Sequence, residues 1–326
     1  MPRSVTMILK AIVSAVIAIT LLSLFCLIFN EPGIRLPDPL GTVDYKRPAY
    51  EFVAKMNEGY SWFISDANGF NNDEVINDPD ILFMGDSQFD ATMMLRSQNC
   101  ASLTAEYTGM RVYNISAPAH LLVKTANNLD NALNLYKPRY VVLITAMLTP
   151  NEADMRAVID RTMKRIVPQT SDGIMSYIKR IPCVQPIYFS LESWLKLSDN
   201  DETKGTVGTD YNDILSDFLG YIGDISKKHG TQPIIIFHTR GTLDRQGAYT
   251  VDYDLSEYST FSKLCEQNGI GFIDMSDSFI EMYENEHKLP NGFSNTQVNS
   301  GHMNADAHNA IALRVAEYIK SFNDTE

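Results

Sequence analysis

The sequence predicts an α/β domain, a five-stranded parallel sheet covered by helices on both faces, behind one apolar N-terminal helix. Three observations predict it. Five short apolar runs suit strands buried on both faces: Ile81–Met84, Val112–Ile115, Tyr140–Thr145, Pro233–Phe237 and Gly271–Met275. Stretches of helical period alternate with these runs, the pattern of parallel sheets with right-handed crossovers. Residues 11–29, AIVSAVIAITLLSLFCLIF, carry no charge at all.

That uncharged run is 19 residues long. At ~1.5 Å rise per residue it reaches roughly the 30 Å of a bilayer core. Arg3 and Lys10 precede it, and Asn30 and Glu31 follow. Positive residues stay on the cytoplasmic side, so residues 1–10 are expected inside and the rest outside, at the cell membrane. A buried core helix and a cleaved signal peptide are the rival readings. The run is longer than a usual signal core, and no small-x-small cleavage site follows, which favours an uncleaved signal anchor. No second run of this length occurs, so one span is expected.

Residues 30–45, NEPGIRLPDPLGTVDY, hold three prolines and no regular period, and are expected to be an extended linker to a domain over 46–326. Helices are expected at Asn128–Leu135, Tyr211–Lys228, Tyr258–Gln267 and Ala305–Phe322. The second of these has apolar residues at Ile214, Leu215, Phe218, Leu219, Ile222 and Ile225, and stops at His229-Gly230. The link from the third strand to the fourth is long. Its portion 151–205, which includes PIYFSLESWLKL, is expected to be a helical insertion. It would lie as a partial lid over the strand ends, where open α/β sheets bind ligands.

Composition excludes several function classes. Hydrophobic residues make up 44% and charged residues 21%, a globular mix. The net charge is −13, and −15 without residues 1–29, so the domain repels phosphate backbones and nucleic acid is not an expected partner. The cysteines are Cys26, Cys100, Cys183 and Cys265, with no Cys-x-x-Cys pair, so neither a disulfide framework nor a cysteine-ligated zinc is expected. Cys26 sits in the apolar run, leaving three outside and room for at most one internal disulfide.

The chemistry concentrates in two segments. In ILFMGDSQFDATMM an apolar strand runs into Gly85-Asp86-Ser87 and then a helix-like stretch. Ser87 there stands at a strand's carboxyl end and a helix N-terminus, where backbone N–H groups can stabilise an oxyanion. Gly85 permits a sharp turn. The bland alternative is that Asp86 or Ser87 is only a helix cap. The other segment is NSGHMNADAHNAIALRVAEYIKSF, where His302 precedes an amphipathic helix with Ile311, Val315 and Ile319 on one face. A histidine in such a loop can return to the mouth of the sheet and take a proton from a serine.

The order of Gly-Asp-Ser after the first strand, five parallel strands and Gly-His-Met-Asn before the last helix resembles the SGNH/GDSL hydrolase superfamily over residues 78–322. The resemblance implies a three-layer α/β/α fold of flavodoxin-like kind, with Ser87 as nucleophile, its N–H as an oxyanion donor and His302 as general base. It implies no cofactor. The family's second block matches Asn114-Ile115-Ser116-Ala117-Pro118-Ala119, with Ser116 and Ala119 where glycines are usual, and a backbone oxyanion donor is expected between those two. The third block's asparagine is displaced to Asn151 or absent. The family's acid usually lies three residues before the histidine, which here is Asn299, so a Ser87–His302 dyad with Asn299 as neutral orienter is expected.

With the N-terminal anchor, the likeness extends to extracytoplasmic partners of multi-span membrane O-acyltransferases. It implies ester hydrolysis on, or acyl transfer to, a cell-envelope polysaccharide. Two other readings are a catalytically degenerate domain that binds glycan or assembles with a partner, and a lipase-like esterase with an apolar acyl channel. His308 is expected at the surface or in packing, His238 near the site or in a structural role, and Trp62 and Trp194 in core or lid packing. Asp274 and Asp277 are expected at a strand end and a helix cap.

Overall fold

The computed structural model describes residues 3–29, 35–55, 58–164 and 210–323. Helix α1 covers Arg3–Phe29, and no residue in its apolar stretch Ser4–Phe25 is buried. Two small antiparallel hairpins follow: β1 (Leu36–Pro37) with β2 (Tyr45–Lys46), and β3 (Phe52–Lys55) with β4 (Ser61–Ile64). The main domain then runs β5 (Ile81–Met84), α2 (Ser87–Asp90), α3 (Cys100–Thr108), β6 (Val112–Asn114), α4 (Leu122–Tyr136), β7 (Tyr140–Thr145) and α5 (Glu152–Ile159). After the break come α6 (Tyr211–Lys228), β8 (Gln232–Phe237), a third small hairpin of β9 (Thr242–Leu243) and β10 (Tyr249–Thr250), α7 (Leu255–Gln267), β11 (Gly271–Asp274), α8 (Ser276–Glu286) and α9 (Ala305–Asn323).

The sheet order is β6-β5-β7-β8-β11, and every neighbouring pair is parallel. This is the expected five-stranded sheet. Alternation along each strand sends side chains to two separate cores. Leu82, Met84, Val141, Leu143, Ile235 and Phe237 meet α4, α5, α6 and α7. Ile81, Phe83, Val142, Ile144, Ile234 and Ile236 meet α3, α8 and α9. Successive strands go to opposite sides of β5, so the order reverses between β5 and β7. A crevice opens at such a reversal at the strands' carboxyl ends, and Ser87 follows β5 there.

Several expectations are corrected. The segment expected as a linker packs on the domain, with Asp38, Thr42, Val43, Asp44 and Tyr45 buried. Asp38 accepts from the Thr42 N–H and hydroxyl at 2.8 Å each, and the Asp44 N–H donates to His120 Nε2 at 2.8 Å. Proline excludes regular structure but not packing, and carboxylates can close such loops themselves. The start of the expected insertion, α5, belongs to one helical layer through buried Met155 and Val158. The rest of it, with Cys183 and Trp194, lies outside the described residues. Trp62 is 62% exposed rather than packed in a core. Cys100 and Cys265 are free and lie in the two different cores, on opposite faces of the sheet.

His308 takes the packing alternative: it is wholly buried, and its Nδ1 accepts from the Cys100 N–H at 3.0 Å, joining α9 to α3. Burial first, then the neighbouring His238 and His302, push it down to about 3. His238 is buried too, and burial, then Arg240, push it down to about 4. Each imidazole is neutral in the fold but takes a proton when unfolded, so its contribution to stability is present above the unfolded value and lost as pH falls. Urea unfolding of the full chain in detergent should therefore show stability dropping below about pH 6.5. His308→Asn keeps an acceptor for Cys100 and should flatten that dependence by about 1.4 kcal/mol per pH unit. Equal slopes in both proteins would locate the proton uptake elsewhere.

Candidate active site

The site begins at Gly85. A Cβ there would lie 2.4 Å from Ile144 Cγ2, so only glycine lets the chain pass β7 and turn. Asp86 caps α2 by accepting from the Gln88 N–H at 2.9 Å, and burial raises its pKa against that hydrogen bond and the nearby His302. The cap reading thus holds for Asp86. Ser87 becomes the first residue of α2, and its N–H has no acceptor among the described residues. Below it, the Asp90 carboxylate is held by the Arg47 guanidinium, with Nη1 at 2.9 Å and Nη2 at 2.5 Å.

His302 arrives from the loop before α9. Its Nε2 is 2.9 Å from Ser87 Oγ. The same loop is tied to α2 by the Met303 N–H donating to Gln88 Oε1 at 2.8 Å, and to the loop after β8 by Arg240 Nη2 donating to Gly301 O at 2.7 Å.

The other side of the imidazole corrects the sequence reading. His302 Nδ1 is 2.8 Å from Glu58 Oε2, and the His302 N–H donates to Glu58 Oε1 at 2.5 Å. Asn299 is not the partner. It sits at φ +54°, and its Nδ2 donates to Gly241 O at 2.7 Å, bracing the loop after β8. A carboxylate takes the place of the expected neutral amide, and Ser87, His302 and Glu58 form one run of contacts.

Glu58 stands in the turn between β3 and β4. Gly59 has φ +69°, and a Cβ there would fall 2.0 Å from Met93 O. The turn is clamped by Asn295, whose Oδ1 accepts from the Gly59 N–H at 2.8 Å and whose Nδ2 donates to Gly59 O at 3.1 Å. Gly301 has φ +86°, and a Cβ there would fall 2.0 Å from Glu58 Oε1. Sequence reasoning missed Glu58. The available signal was a glycine turn between two short strand-like runs, one of them the alternating Ser61–Ile64, which marks a hairpin but not its role.

The expected oxyanion donors fare differently. The Ser116 N–H donates to Asn114 Oδ1 at 3.0 Å and the Ala117 N–H to Gly85 O at 3.0 Å, so both are already engaged. Asn114 holds the loop, its Nδ2 donating to Phe89 O at 2.7 Å. Ala119 has φ +60°, in the left-handed region. Asn151 caps α5 by accepting from the Asp154 N–H at 3.0 Å. The Ser87 and Ala119 N–H groups have no acceptor among the described residues. Asp274, at the end of β11, accepts from the Ser276 N–H at 2.9 Å in the first turn of α8. Among the described residues no group of three His, Cys, Asp or Glu side chains could hold a metal.

No family model matches the chain, and no curated protein does. Several solved structures are similar. TesA is 14% identical, covering 74% of this chain and 98% of its own, with a TM-score of 0.39. The acetyl xylan esterase AlAXEase is 17% identical, covering 73% and 98%, with a TM-score of 0.39. The periplasmic domain of a lipopolysaccharide acetyltransferase from Salmonella ser. Paratyphi A is 14% identical, covering 78% and 87%, with a TM-score of 0.40. Likeness of this degree says nothing about the role of any residue, which rests on the distances above.

The arrangement predicts a spectroscopic signature. The His302 Nδ1–H proton should give a downfield resonance in wild type and in Asn299→Ala. It should vanish in Glu58→Gln and in Gly301→Ala, whose added Cβ would displace the carboxylate. Loss of the signal in Asn299→Ala, with Glu58→Gln unaffected, would overturn the assignment of Glu58.

Proposed function

We propose that the protein is a serine esterase or O-acyltransferase with Ser87 as nucleophile, His302 as general base and Glu58 as the acid that orients it. The observation that supports this most is the unbroken run of contacts from Ser87 Oγ to His302 Nε2 at 2.9 Å and from His302 Nδ1 to Glu58 Oε2 at 2.8 Å. Ser87 Oγ attacks the ester carbonyl carbon while its proton passes to Nε2. The Glu58 carboxylate stabilises the imidazolium, and the Ser87 N–H faces the developing oxyanion. Nε2 then protonates the leaving alkoxide, the old ester bond breaks and an acyl-serine remains. Water or a sugar hydroxyl, deprotonated by His302, attacks that acyl group, the bond from the acyl carbon to Ser87 Oγ breaks, and the imidazolium returns the proton to Oγ.

The substrate we propose is an acyl ester on a cell-envelope polysaccharide, outside the cell membrane that α1 crosses. A multi-span membrane O-acyltransferase is the proposed partner for acyl supply. These finer assignments draw on the Gly-Asp-Ser and Gly-His-Met-Asn blocks together with the apolar N-terminal helix. A carboxylate at Glu58 adds the negative charge beside His302 that a neutral Asn299 would not. A second reading, a degenerate glycan-binding domain, is favoured by one observation: the Ser116 and Ala117 N–H groups are engaged and Asn151 caps a helix.

Two measurements separate them. A fluorophosphonate probe should label the full chain in detergent, with labelling lost in Ser87→Ala and reduced in His302→Ala. Absence of labelling in wild type would leave the binding reading. On a small acetyl ester, Glu58→Gln should lower kcat by about 10³–10⁴, the scale seen when a triad carboxylate is replaced, with KM little changed. Asn299→Ala should stay within about tenfold of wild type, because it removes only a loop hydrogen bond. The reverse ranking would refute the role of Glu58.

A further inference from the structure

The hairpin that carries Glu58 has two unlike faces. Inward, Val53, Ser61 and Phe63 are buried, and the small Ala54 is buried beside its ladder partner Trp62 on the other face. Outward, Phe52, Trp62 and Ile64 are 47%, 62% and 51% exposed, and the Phe52 and Trp62 rings lie 6.2 Å apart. Phe52 pairs with Ile64 and Ala54 with Trp62 in the ladder, so the three outward side chains form one continuous apolar strip. Tyr50 and Tyr60 flank it at 70% and 64% exposure. A soluble surface does not leave two short strands so uniformly apolar on the water side without an occupant.

The structure offers one indication of the occupant. Helix α1, the apolar helix expected to cross the membrane, comes alongside β3. The strip therefore lies beside the element that would be embedded in lipid. Tryptophan and tyrosine concentrate at the headgroup level of bilayers, where a flat amphipathic ring meets both hydrocarbon and water. We infer that the outward face of the β3–β4 hairpin, centred on Phe52, Trp62 and Ile64, rests in the headgroup region of the bilayer that α1 crosses. The inference rests on the anchor reading of α1. Its consequence is that the triad acid is held on an element seated at the membrane surface, so the substrates in reach are those presented close to that surface.

The test uses the full chain with Trp194→Phe, which leaves Trp62 as its single tryptophan. The protein is reconstituted into phosphatidylcholine vesicles with and without lipid brominated near the headgroup end of its acyl chains. Trp62 emission should fall by about half in the brominated vesicles, because an indole at headgroup depth touches those carbons. Ile64→Asp, which changes an exposed position only, should restore most of the emission. Protein that floats with the vesicles and resists carbonate extraction, yet shows no bromine quenching, overturns the docking while leaving the anchor intact. Aqueous acrylamide quenching without bromine quenching would do the same and point to a glycan or protein partner. Failure to float would remove the anchor and the docking together. If Trp194→Phe does not fold, wild type against Trp62→Phe reads the same difference.

Discussion

The structure of the site depends on one carboxylate. Glu58 spans the backbone N–H and the Nδ1 of the same histidine, 244 residues away in the chain. Its side chain is 15% exposed and that of His302 27%, so both are largely withdrawn from water. A carboxylate so placed costs several kcal/mol unless its oxygens are paired, and both are. The pairing also sets the imidazole: with Nδ1–H committed to Glu58, Nε2 is left as the acceptor facing Ser87. The arrangement tolerates no Cβ at residue 59 or 301, where the added atom would fall 2.0 Å from an oxygen.

Holding Glu58 there requires the N-terminal segment to be fastened along its length. Arg47 grips Asp90 at the end of α2, and Asn71 donates to Asp90 O at 2.8 Å. Asp66 gathers the Asn68 and Phe70 N–H groups and the Tyr113 hydroxyl. Asp44 joins His120 and Asn128. The segment that follows the apolar N-terminal helix is thus bolted to β6, α4 and α2.

The parallel sheet supplies the rest of the frame. Its strands are buried on both faces, so their side chains divide between two cores, and the ends of β5 and β7 are fixed from both sides. Ser87 inherits that rigidity through Gly85, while His302 inherits it through α9, whose Ala307, Ile311 and Val315 are fully buried. Ser87 and His302 stand beside rigid elements, and Glu58 comes from a hairpin clamped by Asn295 at Gly59.

What the sequence determined by itself was local. Apolar runs of strand length gave all five core strands, two of them, Ile81–Met84 and Tyr140–Thr145, with their observed ends. The helical period gave Tyr211–Lys228 end to end. Ser87 and His302 were legible because each sits at a boundary between a regular element and a small-residue turn. Burial periodicity repeats within a few residues and leaves a mark on any single stretch. Glu58 leaves none, because nothing near it in sequence differs from an ordinary hairpin turn. Asn299 drew the acid's role through the resemblance, which places an acid three residues before the histidine, but at a left-handed φ its amide donates to Gly241. Only tertiary structure decided the acid, the docking of residues 36–46 and the burial of His308, because each depends on which distant surfaces meet once the sheet has closed its two cores.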